Sequence, residues 1–201
     1  MISNIVHIRA GIFARLVPIA LVVGAVAVGA CDYNNLPAAT TEVATQPFFL
    51  HALSGSSSIA ATALTFPARS VTRIDGTFAF DVAFDIDASG NVILLPPQMV
   101  GQNPGGNRLV GIITGIGSYD AITEAPLSGY TVDSVTVVRR GQAVAVQAQE
   151  PLCTTGNPAA PYLYAKIVID SVDLVARGIY GRTMIGGDCG YRQLIAGFPA
   201  F

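Results

Sequence analysis

The chain has 201 residues, of which 51% are hydrophobic and 12% charged, with 11 basic and 13 acidic side chains and a net charge of −2 at pH 7. Nucleic-acid phosphates require clustered Lys and Arg, so this composition argues against a nucleic-acid partner. The length is sufficient for one domain with a substantial hydrophobic core. The chain has no tryptophan and only two histidines, which limits both sugar-stacking rings and acid–base chemistry.

Residues 1–30 have the three parts of a secretory signal peptide. Arg9 and Arg15 form the basic part, and an unbroken apolar and small-residue stretch follows from residue 16 to residue 30 (LVPIALVVGAVAVGA). A membrane span needs roughly 18 or more apolar residues, and Pro18 shortens this stretch further. We therefore predict a helical signal peptide, with a single-pass membrane anchor as the weaker alternative.

The apolar stretch ends at Val28-Gly29-Ala30-Cys31, which resembles the lipobox of bacterial lipoproteins. The resemblance covers only the leader. It implies that Cys31 receives diacylglycerol and becomes the new N-terminus, so that the protein contacts a membrane through covalent lipid. The implied location is the bacterial cell envelope, facing the periplasm or the exterior. The alternative is an ordinary signal peptide with a cysteine at its boundary by chance.

The residue after the lipidated cysteine bears on which membrane is used. Asp32 resembles the inner-membrane retention signal of enteric lipoproteins. Other phyla do not follow that rule reliably, so the choice between inner and outer membrane stays open.

Removal of the leader takes away two of the 11 basic residues, so nine basic and 13 acidic residues remain and the charge is −4. Such a surface is poorly suited to electrostatic adhesion to anionic lipid, so membrane contact should depend on two or three acyl chains. Residues 31–47 contain few large apolar side chains and no clear period. We predict a lipidated cysteine and a flexible tether here, with an average reach of roughly 20–25 Å. A single domain should then occupy residues 48–201.

The clearest strand prediction covers residues 77–87. Large apolar side chains, Phe78 and Phe84 among them, alternate there with small or acidic ones, which places one set on a buried face. Asp81 and Asp85 would share the opposite, polar face. Paired carboxylates there are conceivable as the acid and base of a glycoside hydrolase, although exposed strand faces are routinely acidic.

The segment after this strand resembles the start of a calcium-binding loop. Asp85, Asp87, Ser89 and Asn91 place oxygen atoms at alternate positions, with a glycine between the last two. The acidic residue that should close the loop is missing, because Pro96 stands at that position. A β-turn requires the same residue types for backbone reasons, so we predict a turn and no metal site.

Short β-branched and apolar segments, separated by Gly, Pro and Asn, indicate further strands. The candidates are residues 48–53, 58–66, 70–74, 92–95, 108–116, 131–139, 143–147, 163–175, 179–185 and 191–198. We predict an all-β fold, an antiparallel β-sandwich of about 8–10 short strands. A small outer-membrane barrel, suggested by the terminal Phe201, is the alternative, but several segments are shorter than the roughly nine to eleven residues that its strands need.

Residues 132–141 (VDSVTVVRRG) and 169–178 (IDSVDLVARG) form a weak internal repeat, identical at six of ten positions. We predict that each copy is a strand ending in an Arg-Gly turn that starts a hairpin. Duplication and convergence on the same strand-and-turn composition both remain open, and two copies do not make a solenoid.

Cys153 and Cys189 are the cysteines that remain once Cys31 carries lipid. Export places them in an oxidising compartment, and only one pairing is then available. Both lie in glycine-containing loop sequence, so the backbone can adjust to disulfide geometry. We predict a Cys153–Cys189 disulfide, with two buried free thiols as the alternative.

Candidates for catalysis and ligand binding are few. His51 is the only histidine after the leader, and the chain has no G-x-S-x-G motif. One histidine and two paired cysteines cannot form a typical zinc site, so we predict no catalytic residues and no cofactor. Tyr162 and Tyr164 share one face of a predicted strand and are weak candidates for stacking on a carbohydrate or peptide. Cross-strand packing is the alternative for this pair.

We therefore expect a lipid-anchored, non-enzymatic binding or structural module of the cell envelope, with an envelope protein or a glycan as partner. The alternatives are an envelope-polymer hydrolase and a glycan or small-ligand carrier. A hydrolase should bring His51 together with Ser or Asp side chains in a concave pocket. A binder should instead show a flat apolar or aromatic patch, or an uncovered sheet edge.

Overall fold

The structure is a computed structural model that describes residues 36–101, 108–156 and 158–200. The predicted signal peptide, Cys31 and Phe201 lie outside the described residues. Two antiparallel sheets pack face to face around the main hydrophobic core, which confirms the predicted β-sandwich. In these three stretches of chain, no helix has the length and apolar character needed to cross a membrane.

Eleven strands and two short helices occur in the described chain, one strand more than the upper end of the prediction. In chain order the strands are β1 (Thr45–His51), β2 (Ala63–Thr65), β3 (Ser70–Thr72), β4 (Val82–Ile86), β5 (Val92–Leu95), β6 (Val110–Thr114), β7 (Thr131–Val132), β8 (Thr136–Val138), β9 (Ala143–Gln149), β10 (Tyr162–Asp173) and β11 (Gly178–Ile185). The helices are α1 (Pro97–Val100) and α2 (Pro151–Gly156). The strand order is β1-β11-β10-β9-β6-β7 in the six-stranded sheet and β3-β2-β4-β5-β8 in the five-stranded sheet.

The main core lies between the sheets and is built from side chains that alternate along each strand. Ile167 and Ile169 of β10 face inwards from the six-stranded sheet and are buried. The rings of Phe48 on β1 and Phe84 on β4 lie 5.6 Å apart and join the two sheets. Each such side chain contributes about 1.5–3 kcal/mol when it leaves water, so the alternation fixes which face of each strand turns inwards.

A layer of loops covers part of the outer face of the six-stranded sheet. Residues 116–125 and 191–198 supply apolar side chains that form a second cluster against β9, β10 and β11. Lys166 of β10 lies buried beneath this layer. Its Nζ donates to the carbonyl oxygen of Ile122 at 2.8 Å and lies 4.6 Å from the centroid of the Tyr119 ring. The hydrogen bond and the aromatic face offset the cost of burying the ammonium group.

The predicted strand over residues 77–87 is correct only in its second half, which is β4. Phe78 has a φ of 52°, in the left-handed region, and its N–H bonds to the carbonyl oxygen of Asp75, so the chain turns before the strand. Phe80 therefore packs in a separate apolar cluster rather than in the main core. Asp81 is buried instead of facing solvent, so the predicted shared carboxylate face does not form.

The two repeat copies adopt different structures. Residues 169–178 form the predicted hairpin, between β10 and β11. In residues 132–141, Asp133 has a φ of 51° and separates β7 from β8. Because β8 pairs with β5 in one sheet and β9 pairs with β6 and β10 in the other, the Arg-Gly turn between them links the sheets. The predicted hairpin is therefore wrong for this copy.

Residues 191–198, the last predicted strand, do not form one. They run beside residues 123–125 through an isolated β-bridge between Glu124 and Gln193. The segment belongs instead to the loop layer, where Leu194 is buried. Its apolar residues cover the outside of a sheet rather than extend its ladder.

The chain is fixed to the sandwich before β1 begins. The N–H of Val43 donates to the carbonyl oxygen of Phe198 at 2.8 Å, and the N–H of Gly197 donates to that of Val43 at 2.9 Å. β1 then pairs with β11 along its whole length, starting before the predicted domain boundary. Over residues 36–47 the structure thus shows backbone pairing and a buried Val43 where a flexible tether was expected. Residues 31–35 lie outside the described chain.

Candidate functional site

Cys153 and Cys189 form a disulfide at one end of the sandwich, with Cα atoms 5.4 Å apart, as predicted. Both β9 and β11 are antiparallel to β10, so the segments that follow them emerge at the same end. Cys153 lies on α2, directly after β9, and its side chain is buried in the main core. We call this end of the fold the disulfide end.

The N-terminal described residues are attached at the disulfide end. The carboxylate of Asp188, next to Cys189, accepts hydrogen bonds from the N–H of Thr41 at 2.8 Å and the N–H of Thr40 at 3.1 Å. The hydroxyl of Tyr191 donates to the carbonyl oxygen of Pro37 at 2.8 Å. The chain that leads back towards Cys31 therefore leaves the sandwich at this end.

A group of buried charges joins the two sheets near the disulfide end. Arg108 lies between Asp81 and Glu150, with a nitrogen 3.0 Å from an oxygen of each carboxylate. The other oxygen of Asp81 accepts from the N–H of Phe66 at 2.6 Å, and Arg108 also donates to the carbonyl oxygen of Phe80. Burial raises the pKa of Asp81 to about 6, against the opposing effects of Arg108 and the Phe66 N–H. The three side chains form a mostly buried ion-pair network that connects the two sheets.

The predicted calcium-site residue Asp85 is engaged by protein donors. Its Oδ1 accepts from the hydroxyl of Ser54 at 2.7 Å and from Nη2 of Arg177 at 2.9 Å. Partial burial alone would raise its pKa, but the hydrogen bonds from Ser54, Arg177 and the N–H of Ile86 hold that pKa below the ordinary value. Asp85 thus links the hairpin after β10 to the loop after β1.

The other three residues of that segment form the turn between β4 and β5. The carboxylate of Asp87 accepts from the N–H of Ser89 at 2.8 Å, and from the N–H and side-chain amide of Asn91 at 2.9 and 3.0 Å. These bonds, those from Asn91 first, lower the pKa of Asp87. This is the use of Asp and Asn that a β-turn requires. Over the described ranges, no group of three or more His, Cys, Asp or Glu side chains is placed to hold a metal ion.

Tyr162 and Tyr164 lie together on the outer face of β10, with ring centroids 6.3 Å apart. They face across the strand pair to Gln149 and Gln147 of β9. Tyr164 packs against the cluster beneath the loop layer, and burial raises the pKa of its hydroxyl. The two rings share one face as the sequence indicates, but both are partly covered.

A more exposed aromatic group, not predicted from the sequence, lies on the outer face of β1 and β11. We call Phe49, His51 and Tyr180 the ring group. The centroid of the Phe49 ring is 4.7 Å from that of Tyr180 and 4.8 Å from that of His51. Phe49 is 41% exposed and Tyr180 45% exposed. A Cβ on Gly178 would lie 2.9 Å from the Phe49 ring, so the glycine lets that ring lie against β11.

The ring group has polar neighbours on the same face. Arg182 lies two residues from Tyr180 on β11, so both side chains point outwards. Its guanidinium binds both oxygens of Asp170 at 3.0 to 3.3 Å in a partly exposed ion pair. The imidazole of His51 packs against Phe49, and the hydroxyl of Ser54, three residues later, donates to Asp85. The site therefore combines ring faces with hydrogen-bonding groups at one edge.

Comparison of the chain with protein-family models, with curated proteins and with solved structures finds no match.

Proposed function

We propose that this protein is a lipid-anchored, non-enzymatic binding module of the bacterial cell envelope, carrying diacylglycerol on Cys31 and facing the periplasm or the exterior. The lipobox-like leader supports the anchor. The attachment of residues 37–41 at the disulfide end is compatible with it, because the chain leaves the sandwich at that end and the ring group stays exposed.

The ring group is the observation that carries the binding role. Large aromatic side chains are usually buried, yet Phe49 and Tyr180 are exposed. They lie on the part of the outer sheet face that the loop layer does not cover. Ring faces beside the Arg182–Asp170 ion pair offer stacking to the apolar face of a sugar and hydrogen bonds to its hydroxyls. An envelope glycan is accordingly the ligand that this surface fits best.

The positions of the polar groups favour binding over hydrolysis. The His51 imidazole packs edge-on to Phe49. Asp85 is bound by Ser54 and Arg177 at one end of the sandwich, and Asp81 is bound by Arg108 at the other end. A nucleophile and base need to lie within hydrogen-bond reach of one another. The envelope-polymer hydrolase therefore remains the weaker candidate.

Two measurements test the proposal. For the anchor, wild type should fractionate with membranes and Cys31→Ser should stay uncleaved or become soluble. A Cys31→Ser protein that is processed normally and still fractionates with membranes would contradict the lipid anchor.

For the binding role, detergent-solubilised wild type should sediment with insoluble peptidoglycan, and the Phe49→Ala/Tyr180→Ala variant should not. Tyr162→Ala is the matched control, because it removes a ring from the same sheet outside the ring group. Equal sedimentation of all three proteins, or of none, would contradict a glycan site at the ring group.

A further inference from the structure

We propose that the disulfide end rests directly on the lipid bilayer, with the exposed side chains of Leu152, Leu109 and Met99 in the headgroup region. This inference depends on the proposed lipid anchor at Cys31. The sandwich would then stand on the membrane in one orientation rather than move freely on a tether.

The length of chain between the anchor and the fold limits where the bilayer can be. Residue 36 is five positions after Cys31, so their Cα atoms can lie at most about 18 Å apart. Leu36 itself lies against the disulfide end, because a Cβ on Gly190 would be 2.7 Å from its side chain. The fold is therefore held much closer to the acyl chains than a tether reaching to residue 47 would allow.

The opposite end of the sandwich is too distant to meet the same bilayer. β10 starts at the disulfide end and has 12 residues, so it extends roughly 40 Å at about 3.3 Å per residue. A five-residue connection cannot bring the hairpin after β10 to the membrane while Asp188 and Tyr191 hold residues 37–41. The anchor therefore holds the disulfide end of the sandwich next to the lipid.

Apolar side chains are exposed at this end. Leu152 on α2 is 76% exposed and precedes the buried Cys153. Leu109 is exposed beside the end of β9, where its carbonyl oxygen accepts from the N–H of Gln149. Met99 on α1 is exposed next to Gln98, whose amide donates to the carbonyl oxygen of Arg108. Large apolar side chains gain free energy when they move from water into the headgroup boundary.

Two of the acidic groups at this end have partners in the protein, whereas Glu42 is exposed. Glu150 is paired with Arg108, and the carboxylate of Asp188 accepts hydrogen bonds from Thr40 and Thr41. The charge of Glu150 is compensated in part by Arg108, which reduces its repulsion from anionic headgroups, whereas Asp188 is stabilised by neutral donors. Apolar exposure by itself would not choose this end, because Val175 at the opposite hairpin is 98% exposed. The short connection between Cys31 and residue 36 determines which end of the sandwich meets the bilayer.

The absence of tryptophan from the sequence allows a direct test. Leu152→Trp and Val175→Trp each introduce a single tryptophan, the first at the disulfide end and the second at the opposite end. Each lipidated full-length variant is reconstituted in phosphatidylethanolamine–phosphatidylglycerol vesicles with or without brominated phosphatidylcholine. The Leu152→Trp emission should shift to the blue and fall about twofold with brominated lipid, since interfacial apolar groups lie about 5–10 Å into the headgroup–acyl boundary. The Val175→Trp emission should not change.

Vesicle flotation of wild type and Cys31→Ser separates this inference from the anchor. If wild type floats and Leu152→Trp is no more quenched than Val175→Trp, the orientation is wrong and the anchor stands. Stronger quenching of Val175→Trp would overturn the orientation as well. If wild type sediments like Cys31→Ser, the anchor and the orientation both fail. Retention of the disulfide in each tryptophan variant confirms that its fold is intact.

Discussion

Removal of the disulfide should lower the free energy of unfolding by about 4 kcal/mol. Cys153 and Cys189 are 36 residues apart in sequence. A cross-link over a loop of this length removes about 13 cal/mol/K of entropy from the unfolded chain, which is about 4 kcal/mol at 25 °C. Replacing both cysteines by alanine also empties space in the core around Cys153, which adds about 1 kcal/mol. The expected total approaches the whole stability of a marginal domain.

Urea unfolding of the secreted Cys31→Ser protein, with and without Cys153→Ala/Cys189→Ala, measures this loss. With an m-value of about 2 kcal/mol/M, the midpoint of the alanine variant should fall by about 2.5 M. The reduced Cys31→Ser protein is the control, because it keeps both sulfur atoms and loses only the covalent link.

Two outcomes would refute the reasoning about the disulfide. One is a midpoint decrease below about 0.5 M at an unchanged m-value, which would mean that the link constrains the unfolded chain little. The other is labelling of two free thiols in the denatured, unreduced Cys31→Ser protein, which would mean that the bond does not form.

Three further outcomes are expected. Asp81 has a pKa of about 6 in the fold and an ordinary value of 3.8, so the native state binds more protons between these values and stability should fall by about 2 kcal/mol as pH rises from 4 to 6. In urea unfolding, Asp81→Asn should remove that slope, and an unchanged slope would contradict the assignment. Gly181→Ala should cost about 1–3 kcal/mol, because its Cβ would lie 2.4 Å from the carbonyl oxygen of Val168, whereas Gly76→Ala, with no atom within 4 Å, should cost little. Millimolar calcium should leave the melting temperature unchanged, and a rise that disappears in Asp85→Asn would reveal a site that we do not expect.

The class of fold and the cysteine pairing could be predicted because they depend on local signals. Period-two alternation and Gly/Pro turns identify strands without knowledge of their partners. The disulfide needed only a count of cysteines and an oxidising compartment. Strand positions depend on the residues near each site and the cysteine pairing depends on overall composition, and neither depends on strand order.

Features that depend on distant partners could not be predicted. Asp81 is buried because Arg108, 27 positions later, compensates its charge, and nothing near Asp81 indicates that partner. The ring group requires the register that places Phe49 opposite Tyr180, which is 131 positions away. The first repeat copy changes sheets at a turn whose sequence matches that of a hairpin. In each case the tertiary pairing overrides the local pattern.

Lys166 is the only lysine of the chain, and burial lowers the pKa of its ammonium group. Reagents that acylate primary amines therefore find one side-chain target, and the loop layer covers it. Modification requires residues 116–125 to lift away from β10, so the labelling rate reports local opening of that layer. Its dependence on denaturant would distinguish local opening from global unfolding. An amine-reactive cross-linker would accordingly find no accessible lysine side chain on this protein while the loop layer is closed.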